Sequence, residues 1–227
     1  MSPNHFLAKF LRFIGIVLMG LTAGFTLLGG VGTTCAALFP TNFESMAPLA
    51  RFQWLYILFV LVGIALGVMG IRATVQLVRG AGKAYRDALV VLIAGVVVGV
   101  IHILASRALR GKSMPVDAVV YTTLLTLIIF LLFRIPKIWQ GVNFTRGGGH
   151  NEHTAGGAAA IAVGMMTLTI QYTMAATHTW NGINYADAFN TAMTLCGLGC
   201  LLLGGVIWAR PVMRAIRLDF AQAELLE

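Results

Sequence analysis

Histidine is the residue type through which this sequence could do chemistry in apolar surroundings. His102 lies within an uncharged run, and His178 closes another. Two imidazoles at similar membrane depth can hold a b-type haem between them, or help bind a quinone headgroup. Gln171, Tyr172, Trp180, Tyr185 and Asp187 lie close in sequence to His178 and suit the rim of such a pocket. Histidines and aromatics at a membrane surface are also ordinary interfacial residues. His102 and His178 are therefore the cofactor-binding candidates, with haem b or quinone as the cofactor.

Other reactive groupings are sparse. His150, Glu152 and His153 read H-x-E-H, which is not the zinc-protease H-E-x-x-H pattern. They follow Gly147-Gly148-Gly149, a hinge too floppy to hold a metal, and a solvated loop is expected there. Cys35, Cys196 and Cys200 form no C-x-x-C pair and pack as small apolar residues. No nucleophilic triad and no paired carboxylates are present, so no catalytic and no metal-ligating residue is assigned.

What must position these residues is a membrane. Of 227 residues, 58% are hydrophobic and 11% charged, whereas soluble domains carry about 25% charged residues. A bilayer core needs about 20 apolar residues per helix, and six runs supply them. They are residues 13–38, 52–71, 88–106, 118–139, 154–177 and 188–209. The fourth is the shortest between charges. It reaches Trp139 only if Arg134 and Lys137 snorkel, with Pro136 in its last turn. Residues 72–87 and the tail after Arg210 look like short amphipathic helices. In the tail Val212, Ile216 and Phe220 recur four apart among basic residues. The expected fold is all-α: a polytopic membrane protein, a six-transmembrane-helix bundle with short loops and a C-terminal amphipathic helix.

Basic residues orient it. With six spans, one alternating set of loops and ends carries twelve Lys and Arg and the other four. The positive-inside rule then puts both termini in the cytoplasm. The loop between spans three and four dissents, placing Arg107, Arg110 and Lys112 outside. The net charge of +8 belongs to span ends and lipid headgroups, not to nucleic acid. The run after Arg12 is too long for a cleaved signal and reads as a first span in a plasma or inner membrane.

Helices in lipid associate by close packing, which small residues permit. Gly20 and Gly24, Gly63 and Gly67, and Gly95 and Gly99 each recur in GxxxG spacing. The sixth span adds Ala192, Cys196, Cys200 and Gly204 as a stripe, and the fifth adds Ala160 and Gly164. The fourth is bulky all round and is expected at the periphery. Trp54, Tyr56, Trp139, Trp180 and Trp208 are expected as interface anchors. No acid or base lies deep in a span, which argues against carboxylate proton relays and charged-ring channels. The functional expectation is a non-catalytic subunit or scaffold of a larger membrane complex, with lipids and other integral subunits as partners. A haem- or quinone-binding redox subunit and a small transporter or channel for an uncharged solute are the alternatives. The latter requires a water-accessible cavity between glycine faces.

Overall fold

A computed structural model describes residues 5–42, 44–146, 149–180 and 182–224. Helices account for nearly all of it. In chain order they are α1 (Phe6–Gly32), α2 (Thr34–Leu38), α3 (Gln53–Arg79), α4 (Ala84–Arg110), α5 (Val116–Phe133), α6 (Pro136–Val142), α7 (His150–Thr173), α8 (Ala175–His178), α9 (Tyr185–Ala188) and α10 (Asn190–Glu224). A two-residue hairpin, β1 (Thr179–Trp180) with β2 (Ile183–Asn184), joins α8 to α9. Six helical segments among the described residues are long and apolar enough to cross a membrane. The chain is an all-α, membrane-embedded, multi-pass protein.

Glycine sets two of the boundaries. Gly80 ends α3 at φ 70°, and the following Ala81 N–H reaches back to the Gln76 carbonyl at 3.0 Å. Gly111 ends α4 at φ 68°. Both are left-handed caps that only glycine adopts without strain. They leave no room for the separate amphipathic helix expected over 72–87: α3 runs on to Arg79 and α4 begins at Ala84. The fourth span stops at Phe133 and does not reach Trp139. Pro136 starts α6, where its missing N–H has no helical partner to lose. α10 continues without a break from Asn190 to Glu224, so the amphipathic tail is its extension. The stripe Val212, Ile216 and Phe220 falls on side chains outside the described residues.

The helices divide into two groups. α1, α3, α4 and α5 form a closed up-down-up-down bundle, with α3 on α1, α4 on α3, α5 on α4 and α5 on α1. The register confirms the alternation. Along α1 and α3, Gly30 faces Gly63, Leu27 faces Gly67 and Ala23 faces Gly70. Along α4 and α5, Gly95 and Gly99 face Thr123 and Val120. α7 then lies outside this bundle, running parallel to α1: Gly20 meets Ala159 and Gly24 meets Val163. α10 packs antiparallel on α7. The carboxyl end of α10 is therefore on the same side of the bundle as the start of α1.

Two expectations change at this point. The fourth span is not the peripheral one. One face of α5 buries Val120, Thr123, Thr126, Leu127 and Phe130 against its neighbours. The peripheral span is the sixth, with 11% of its most apolar window buried against 28–39% in the others. The stripe on α10 also changes at one position, with Gly197 in the place expected for Cys196. Its contact line with α7 runs through Gly197, Cys200 and Gly204, because Gly164 and Gly157, seven apart, meet Gly197 and Gly204, also seven apart. Cys196 stands beside that line and is exposed.

Candidate functional site

At the end of the bundle away from the amino terminus, the glycine faces leave a cavity of about 70 Å³. Its walls come from α1, α3, α4, α5 and the turn before α5. A void of about 10 Å³, enough for one water, continues along the axis past Met19 and Leu92. Close approach and open space share one cause here. A methyl at Gly99 would come 2.4 Å from Val120 Cγ2, and one at Gly29 3.0 Å from Val119 Cγ2. Where such glycines face each other, as Gly30 and Gly63 do, no side chain fills the axis.

His102 is the polar ring in this wall. It is 8% exposed. Phe59 stacks on it at 4.2 Å and 16°, and Tyr56 meets it edge-on at 5.5 Å. Tyr56 in turn shares a 2.9 Å hydrogen bond with Ser106, one turn along α4. Tyr56 is thus not an interface anchor but a buried brace for His102. Neither imidazole nitrogen has a hydrogen-bond partner among the described residues. The hydroxyls of Thr26 and Thr123, also in the wall, donate to the carbonyls of Thr22 and Val119 at 2.8 and 2.7 Å.

His178 is elsewhere. It lies on α8, half-buried, with Nδ1 3.1 Å from the Met174 carbonyl oxygen, so Nδ1 is the donor in that pair. α8 packs on α7, α9 and β2, and no residue of α7 or α8 lines the cavity beside His102. The two histidines do not share a pocket. Around His178, Tyr172 and Asp187 are exposed, and the Gln171 carbonyl accepts from Asn184 Nδ2 at 3.3 Å.

Ionic contacts close both ends. Beyond the cavity, Arg107 donates to Ser113 Oγ at 2.9 Å and to Asp117 Oδ1 at 3.0 Å, and Ser113 donates to Asp117 Oδ2 at 2.7 Å. Asp117 is buried. This network accounts for part of the basic excess in the loop between spans three and four, since Arg107 is neutralised there. At the other end Arg12 of α1 meets Glu152 of α7 at 3.3 Å, with both side chains at least 93% buried. The H-x-E-H segment is therefore not a solvated loop. His150 opens α7, and its first turn carries Glu152 into the protein. No group of three or more metal-ligating side chains occurs among the described residues.

No protein-family model, no curated protein and no solved structure matches this chain. What the molecule offers chemically must be taken from its own geometry: an uncharged cavity with one unpaired imidazole, and a sixth span held on one side.

Sequence reasoning singled out His102 as a lone polar residue in an apolar run. It missed Tyr56, Ser106 and Phe59, which belong to the same site. Their spacing gives one signal. Tyr56 and Phe59 are three apart on one helix face, as Ser106 and His102 are four apart on another. It missed the pairing of Arg12 with Glu152 as well, because 140 positions separate them and only the fold joins them.

Proposed function

We propose that this chain is a non-catalytic integral subunit of a larger membrane complex, and that α10 is the helix it presents to a transmembrane helix of another subunit. One observation carries the reading. Among the described residues α10 takes its packing mainly from α7 and the short α9, and the other side of Asn190–Arg210 is open. On that open side Gly199 has nothing within 4 Å of a would-be Cβ, and Ala192 and Cys196, on the same strip of the helix, are exposed. Small residues gain nothing against lipid chains. They let a second helix backbone come close.

The twelve-to-four division of basic residues supports a plasma or inner membrane orientation with both termini cytoplasmic. Nothing in the reading requires nucleic acid.

The test is a mild-detergent purification of the full chain and of a variant with Ala192→Leu and Gly199→Leu. Wild type is expected to retain a stoichiometric integral partner. The variant is expected to lose it while keeping its own helicity, since both sites face open space. A wild-type chain that runs alone as a monomer sinks the proposal.

The haem or quinone alternative now has His102 alone at its disposal, since His178 is not in that pocket. The third alternative, an uncharged solute, is favoured by the cavity between glycine faces, and its chemistry can be taken further.

A further inference from the structure

The bundle cavity combines three properties. No side chain charged at neutral pH lines it, so an ion entering would be desolvated without a counter-charge. Its walls are mainly glycine backbone, valine, leucine and phenylalanine. Its directional groups are His102, which can donate from one ring nitrogen and accept at the other, and the hydroxyl oxygens of Thr26, Thr33 and Thr123. Those hydroxyl protons are used within their own helices, which leaves the oxygens as acceptors.

His102 is buried as a residue, but its ring nitrogens are not among the sealed, unsatisfied polar atoms of the described residues, and a polar group in apolar surroundings is nearly always satisfied by protein, water or ligand. Its ring is not free to turn away, because Phe59 stacks on its face and Tyr56 abuts its edge. The unpaired nitrogens are therefore held at an open space. Size limits what can fill it. An apolar cavity of about 150 Å³ accepts benzene, and water takes about 30 Å³ in the liquid. At about 70 Å³, this cavity has room for a few non-hydrogen atoms and excludes a haem or a quinone ring.

We propose that the cavity beside His102 binds a small neutral solute carrying one hydrogen-bonding group, of the size and class of a short-chain alcohol. The imidazole takes the hydroxyl, and the valine and glycine walls take the carbon chain. The site is independent of α10 and of any partner there.

The experiment uses the full chain in nanodiscs, with 15N-labelled histidine, titrated with 1-propanol. The expected result is a saturable shift of the His102 ring resonances. Val98→Phe, which puts a ring into the cavity wall, is expected to abolish it. His102→Phe keeps the stack on Phe59 and removes the nitrogens. Followed through Thr26 and Thr123 methyl signals, it is expected to bind propanol about tenfold more weakly, the value of one hydrogen bond. Far-ultraviolet circular dichroism establishes that each variant is folded, and His102→Phe carries the test if Val98→Phe is not. A shift that grows linearly without saturating, or one that persists in folded Val98→Phe, is a general effect of alcohol on the bilayer and overturns the proposal. So does a cavity that exchanges water but takes up no propanol.

Discussion

The α1/α3/α4/α5 bundle and the α7–α10 pair solve one problem in two ways. Both hold helices together in surroundings where hydrophobicity gives little reason to associate. The bundle uses side chains. Thr22 and Thr126 share a hydrogen bond at 2.8 Å across α1 and α5, and Tyr56 and Ser106 do so across α3 and α4. At the amino-terminal end, Tyr85, Phe130 and Phe144 stack on one another at 5.8–6.1 Å, Phe133 meets Phe130 and Phe144 at a tilt at 5.6 and 5.9 Å, and Trp139 lies 4.7 Å from Tyr85. The Tyr85 hydroxyl also donates to the Phe130 carbonyl.

The α7–α10 pair uses backbone. A Cβ on Gly157 would fall 2.7 Å from the Gly204 carbonyl oxygen, and one on Gly204 2.8 Å from that of Gly157. Gly164 and Gly197 repeat the arrangement one heptad away, at 2.8 and 3.0 Å. The difference teaches that glycine has two uses in this chain. Between α7 and α10 it brings two backbones into contact and leaves no space. In the bundle it brings backbones close at some levels and leaves the axis empty at others, which is where the cavity lies. Only the second arrangement makes a site.

The joint between the two regions is the place to break the comparison. Glu152→Ala removes the buried carboxylate 3.3 Å from Arg12, and loss of one partner of a buried pair costs about 3 kcal/mol. Unfolding in mixed micelles with rising SDS should show that loss. Replacing both residues by methionine should recover most of it, and a single-variant loss below about 0.5 kcal/mol would mean that water reaches the pair. A smaller effect is expected from Gly204→Leu. The new side chain meets the Gly157 backbone, which cannot rotate aside, so overpacking should cost about 2 kcal/mol. The loss should be confined to the pair: Trp208 emission should shift while cross-links between cysteines placed on α1 and α5 persist. If those cross-links also fail, the two regions are one cooperative unit. The smallest effect belongs to Thr22→Val, which removes one hydroxyl pair from the bundle. Interhelical hydrogen bonds in membranes average about 0.6 kcal/mol. A loss several times larger would show that the bundle depends on its polar contacts more than its apolar faces.

The six spans were legible in the sequence because they depend on local composition. Twenty apolar residues without charge form a helix in a bilayer whatever their neighbours, since every backbone group must bond within the segment. The ends were legible less well. Gly80 and Gly111 fix two of them by caps, but the reach of α3 to Arg79 depends on Ala73, Leu77 and Val78 being buried against other helices. That a histidine mattered was visible at His102, because a lone imidazole in an apolar run stands out.

Which helices touch was not visible. Glycines four apart occur in spans one, two and three alike, and the spacing does not say that Gly24 meets Val163 or that Gly67 meets Leu27. Glu152 among two histidines looks solvated until α7 is laid along α1 and brings Arg12 to it. By itself the sequence determined a membrane-embedded helical chain, the number of its spans and the relative charge of its two ends, because each is a sum over neighbouring residues. Only the tertiary structure decided that four helices close around a cavity, that His102 faces it without His178, and that α10 is the helix left open. Those are matters of register between distant segments: it is Gly197, not Cys196, that meets Gly164 across the α7–α10 contact.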